Sequence, residues 1–148
     1  MMSISKPKVV VVPCSGIGKS LGTVSRETAY ELCENVRPED TQLLALSTLV
    51  LGDSKARERI RNNPAITIDG CKQMCAAKLV KQSGGVAIRE VAVFEEFRRH
   101  KDLKPEGIAV LNAKGMQLAR VLAEEIAQQL DLAANPEACE EGQHAESA

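Results

Sequence analysis

Apolar positions fall into short blocks separated by polar turns, and the blocks alternate in kind. Val9 to Val12 is an unbroken β-branched run, the pattern of a strand buried on both faces of a parallel sheet. Pro13 cannot donate to a strand ladder, so the strand should end there and the loop CSGIGKSLG begin. Thr23 or Ser25 can cap a helix to about Arg37, with Ala29, Leu32, Cys33 and Val36 as its buried stripe and Pro38 as its stop. Thr41 to Leu46 reads as a second short strand. Gly52 and Asp53 open a charged helix, KARERIR, closed by Asn62, Asn63 and Pro64. Ala65 to Ile68 is a third strand, and Asp69-Gly70 is a turn opening a helix from about Lys72 to Gln82. Gly84-Gly85 ends that helix, and Val86 to Val93 is a fourth strand. Beyond a basic loop, RRHKDLK, the residues Ile108, Leu111, Leu118, Leu122, Ile126 and Leu130 keep a helical period, which predicts a long last helix from near Pro105.

Strands alternating with helices predict an α/β fold: a single three-layer domain over residues 1–132, with a mostly parallel four-stranded sheet and helices on both faces. A 2-1-3-4 strand order makes the first and third strands neighbours, about 5 Å apart. Sites in such sheets form beyond the carboxyl ends of the strands. Cys14 follows the first strand and Cys71 the third, so two cysteines distant in sequence should meet in one crevice. Residues 133–148 are small, acidic and aperiodic, and read as a mobile tail; Cys139 and His144 in it read as solvated.

Composition narrows the partners. With 19 basic and 20 acidic residues in 148, the chain lacks the basic surplus that nucleic acid or an anionic membrane requires. No Trp, one Tyr and two Phe leave little for a base-stacking platform. No apolar run approaches the roughly 18 residues of a membrane span, and the N-terminus is too short in apolar residues for a signal peptide. The expected location is cytoplasmic. Thiols stay reduced there, so cysteines at motif spacing are more often metal ligands or reactive groups than disulfides. Five cysteines, an odd number, also suit a paired framework poorly.

The loop after Val12 has several lookalikes. A phosphate-binding Walker loop needs glycine where Pro13 stands, and a dinucleotide loop needs glycine at Leu21 rather than Gly22. A low-molecular-weight tyrosine phosphatase needs arginine six places after its cysteine; here that position is Ser20, and Lys19 comes one place early. CSGIGKS also resembles the phosphocysteine loop of sugar phosphotransferase B subunits, where glycine-rich backbone and a helix N-terminus stabilise a thiolate and its phosphate. That resemblance leaves ITIDGCKQMCAAK unexplained.

In that second stretch Cys71 and Cys75 stand at i and i+4 at a helix mouth, which would turn both thiols to one side and favour their thiolates. Alone, the pair reads equally well as core. With Cys14 at the adjacent strand end, three thiols converge, which core packing does not foresee. DGC-x3-C and the Cys-Ser-Gly loop together resemble the DGC-domain family, named for Asp-Gly-Cys and regarded as zinc-binding, over roughly residues 8 to 95. The resemblance implies that Cys14, Cys71 and Cys75 are metal ligands. It also implies a fourth cysteine after the second strand, where this chain has Ser47 and Thr48. Cys33 is an alternative fourth thiol, but about eight residues into its helix it reads as core.

Four protein ligands close a structural zinc site, whereas three plus water leave it open. The cofactor that the resemblance implies is zinc on three thiolates, with water, a small ligand or a protein partner at the fourth position; thiolates alone suit iron or an iron–sulfur cluster as well. Asp69 reads mainly as shaping the turn and starting the helix, Gly70 as allowing close backbone approach, and Lys19 as either offsetting thiolate charge or lying exposed. Arg26 and Glu27 read as an ion pair and His100 as a solvated loop residue. The competing functions are a phosphocysteine carrier at Cys14, a Cys71/Cys75 redox dithiol, and a small-molecule module using the glycine loop. No general-base motif names a reaction.

Overall fold

Strand β1 (Val9–Pro13) directs Val11 to one face of the sheet and Val10 with Val12 to the other, and each face meets its own hydrophobic cluster. The continuous valine run is thus a strand apolar on both sides, as burial between two helical layers requires. The computed structural model describes residues 7–134. Its four strands, β1, β2 (Thr41–Leu43), β3 (Ala65–Asp69) and β4 (Ala87–Ala92), are all parallel in the order β2-β1-β3-β4. Val10 faces Ala65 across the central pair and Pro13 faces Ile68, so β1 and β3 end side by side.

Helix α1 (Ser20–Tyr30) follows β1 and runs into a π-helical turn, Glu31–Val36, in which Arg37 N–H reaches back five residues to Leu32. Two short helices, α2 (Leu46–Val50) and α3 (Ser54–Asn62), lie between β2 and β3, and α4 (Cys75–Gln82) links β3 to β4. After β4 come α5 (Val93–Glu96), a 3-10 turn (Phe97–Arg99) and the long α6 (Ala113–Ala134). One cluster joins Val11, Ile66, Ile68 and Val91 to α1 and to the α6 stripe Leu118, Leu122 and Ile126. The other joins Val10, Val12 and Ala65 to Leu46, Leu49, Ile60 and Val80. The three-layer α/β reading and the strand order stand.

Four boundaries differ from the sequence reading, each for a local reason. β2 stops at Leu43, because the chain turns after Ala45 into α2. α1 begins at Ser20 rather than at a Thr23 or Ser25 cap; those hydroxyls are buried within the helix, Ser25 Oγ donating to Gly22 O at 2.7 Å. α4 begins at Cys75, not near Lys72, so Cys71 lies in the preceding turn, where Met74 takes a left-handed conformation with φ 51°. α6 begins at Ala113. Ile108 keeps the apolar period yet is 54% exposed, beside Val110 at 81%, on a strap tied by Asn112, which accepts from Glu106 N and Gly115 N and donates to Lys104 O. The expected tail from residue 133, with Cys139 and His144, lies almost wholly outside the described residues.

Candidate metal centre

Three glycines bring the site together. The loop after β1 packs Gly16 against Gly22 in α1 so closely that a Cβ on Gly22 would stand 2.3 Å from the Gly16 Cα. A Cβ on Gly70, after β3, would stand 2.6 Å from the Gly22 nitrogen. Backbone therefore touches backbone at the joint of three segments, and no side chain larger than hydrogen fits there. Gly16 also carries φ +63°, which further favours glycine. This joint sets the Cys14 loop against the Asp69-Gly70-Cys71 turn.

Cys14 continues the β1–β3 ladder, its N–H donating to Ile68 O at 2.9 Å. Its half-buried Sγ accepts from Gly70 N–H at 3.3 Å and lies 3.0 Å from Ser25 Oγ. As a neutral thiol, Cys14 can donate to Ser25 while Ser25 donates to Gly22 O. As a thiolate, it can accept the hydroxyl proton of Ser25. Burial pushes the Cys14 thiol up; Ser25 and Gly70 pull it down, and Asp69 and Cys71 push it up again. The outcome is a raised pKa, so the free protein holds Cys14 mainly as thiol and a thiolate there needs a cation.

Asp69 is buried, and its two carboxylate oxygens accept from Ala76 N at 2.8 Å and Ala77 N at 3.1 Å. It caps α4 from the end of β3, seven residues before Ala76. Burial raises its pKa against the pull of those two N–H groups. The sequence reading of Asp69 as the residue that starts this helix therefore holds. Cys71, half-buried, occupies the turn that the cap spans, and Cys75, exposed, is the first residue of α4.

Cys14, Cys71 and Cys75 line one cavity of about 310 Å³ together with Lys19, Asp69 and Gln73. Lys19 is an exposed loop residue that borders the same cavity. Three thiols opening on one space form a donor set suited to zinc. Their spacing is looser than a formed site: among the described residues no three His, Cys, Asp or Glu side chains stand close enough together to hold an ion. The shared helical face expected for Cys71 and Cys75 is absent, because Cys71 precedes the helix.

Cys33 and Ser47, weighed as fourth ligands, do not line this cavity. Cys33 sits in the π-helical turn against the α6-side cluster, and Ser47 is an exposed residue of α2. Two other residues also depart from expectation. Arg26 does not pair with Glu27; its guanidinium donates to Ser15 O at 3.1 Å and steadies the cysteine loop. His100 is not free in solvent but lies 3.0 Å from Glu125 on α6. The sequence reading missed Ser25 as the partner of Cys14. It also missed Gly22, whose close packing against Gly16 and Gly70 joins segments far apart in the chain.

The DGC domain sequence model matches residues 10–112, well over half of the 148. Comparison with curated proteins and with solved structures finds no match. Among the described residues no helix is long and apolar enough to cross a membrane. With the Cys-Ser-Gly loop and the Asp-Gly-Cys turn joined at their glycines, and the match spanning both, the chain belongs to the DGC domain family.

Proposed function

We propose that this protein binds a zinc ion through Cys14, Cys71 and Cys75 and leaves a fourth position to water, a small ligand or a partner protein. The observation that carries the reading is the single cavity on which the three thiols open. When bound, zinc supplies a Lewis-acid centre that holds thiolates and can take up an outside ligand. The chain's part is to deliver the sulfurs and balance their charge. Cys14 is held by Gly70 N–H and Ser25, and is the fixed donor. Cys75 is exposed and Cys71 lies in a turn, so these two supply the adjustment that closing on an ion requires. Three thiolates on a divalent ion carry one net negative charge, and Lys19 on the cavity wall offsets it.

Elemental analysis of the full chain, purified without oxygen, tests the reading. One equivalent of zinc is expected in the wild type and in Cys33→Ser, and none in a variant lacking Cys14, Cys71 and Cys75. Bound zinc should protect the three thiols from alkylation until a chelator is added. Dialysed protein without stoichiometric metal, indistinguishable from Cys71→Ser, overturns the proposal. Immediate alkylation with oxidation to a Cys71–Cys75 disulfide would favour the dithiol alternative instead.

A further inference from the structure

A second, larger cavity of about 1020 Å³ adjoins the thiol cavity and shares Lys19, Gly70, Cys71 and Gln73 with it. Its chemistry is asymmetric. Lys19 and Lys72 bring two positive charges, and Glu106 on the facing strap brings one negative charge. Among the described residues neither lysine has an acidic partner, the five ion pairs lying elsewhere. The rest of the wall includes Leu21, Phe94 and Ile108, and Phe94 is one of only two phenylalanines in the chain. The strap is fastened, not loose: Thr23 Oγ1, from α1, donates to Ile108 O.

We infer that this cavity binds a small organic anion, its carboxylate, phosphate or sulfonate group drawn by Lys19 and Lys72 and its apolar body lying against Phe94 and Ile108. Three features lead there. The volume is at the top of the range for small-molecule sites, roughly 300–1,000 Å³, so an inorganic anion would leave most of the wall uncovered. The unpaired lysines select for negative charge. The aromatic and aliphatic wall selects for a hydrocarbon part. A ligand seated there reaches the thiol cavity at Cys71, the thiol among the four residues common to both walls. The inference concerns the wall residues alone and does not require the metal.

Fluorescence titration of the full chain with anilinonaphthalenesulfonate, an organic anion with an aromatic body, tests it against the uncharged N-phenylnaphthylamine. Saturable one-to-one binding is expected, with preference for the charged probe. Lys19→Gln with Lys72→Gln should weaken the charged probe at least tenfold and remove the preference; both side chains are exposed, so the fold should persist. Phe94→Ala should weaken both probes. Cys14→Ser with Cys75→Ser, which removes two proposed metal ligands, should leave the binding unchanged, so failure of the zinc reading and failure of this one are separable. Probe saturation should slow iodoacetamide reaction at Cys71 severalfold and leave Cys33 unaffected. Equal affinity in the double-lysine variant, or binding without saturation, overturns the proposal.

Discussion

Cys14 and Cys33 are both half-buried, and burial raises the pKa of both thiols. Cys33 has one polar partner, Thr41, and otherwise packs against the cluster under α6. Cys14 has a backbone N–H from a distant turn, a serine from a helix, and two further thiols on the same cavity wall. Burial and a shifted pKa are thus common to a packing cysteine and a candidate ligand. What separates them is convergence: three chain segments meet at Cys14, and only local chain and core meet at Cys33.

That convergence depends on the glycine joint, where the largest expected effect lies. Gly22→Ala would ordinarily help a helix by up to ~1 kcal/mol. Here the added Cβ has backbone 2.3 Å away, which no side-chain rotation relieves. The clash should win, with a net loss of about 3 kcal/mol in urea unfolding and loss of metal retention. Gly18→Ala is the control, since nothing lies within 4 Å of its Cβ and only its φ of +85° opposes substitution, at roughly 1–2 kcal/mol. Equal costs at the two positions would break the comparison.

Asp69 comes next. Asp69→Ala leaves Ala76 N–H and Ala77 N–H at the buried start of α4 without acceptors, a loss of about 2 kcal/mol. Asp69→Asn keeps one acceptor oxygen and should lose roughly half as much. Because α4 carries Cys75 and its cap spans Cys71, the Ala variant should also expose Cys71 to faster alkylation while Cys33 reacts as before. Alkylation rates by mass spectrometry measure this directly.

These contacts mark the limit of what a linear reading supplies. β1 and β3 could be placed because a strand buried on both faces needs β-branched residues on both, and Val9–Val12 and Ala65–Ile68 have them. Their adjacency then brought Cys14 toward Cys71. The α4 boundary was misplaced because its cap comes from β3, beyond the local window in which capping patterns are read. The α6 boundary was misplaced because Ile108 keeps the helical period while lying on the strap and lining the larger cavity, an interaction the period does not encode. Gly16, Gly22 and Gly70 look alike as letters; only the folded chain shows that Gly16 and Gly70 both pack against Gly22.

The smallest expected effect separates the two half-buried thiols by pH. A thiol whose folded pKa lies above its unfolded value keeps its proton in the folded protein after the unfolded chain has lost it. The associated stability is therefore complete below the unfolded pKa and falls as pH rises through the folded one, from roughly pH 9 upward. Cys14 and Cys33 share this sign in the metal-free protein. Cys33→Ala should flatten the alkaline fall in urea midpoint by well under about 1 kcal/mol, because water still reaches and screens part of the thiol. A uniform loss from packing would shift the whole curve without changing its slope, so the slope is the measurement. Zinc adds the sharper test. Bound as a thiolate, Cys14 has no proton left to lose above pH 9, and its share of the slope should vanish on loading. The share of Cys33 should remain, since its surroundings are hydrocarbon and Thr41 and not the thiol cavity. An alkaline slope that zinc leaves wholly unchanged would place Cys14 with Cys33, as packing and not as a ligand.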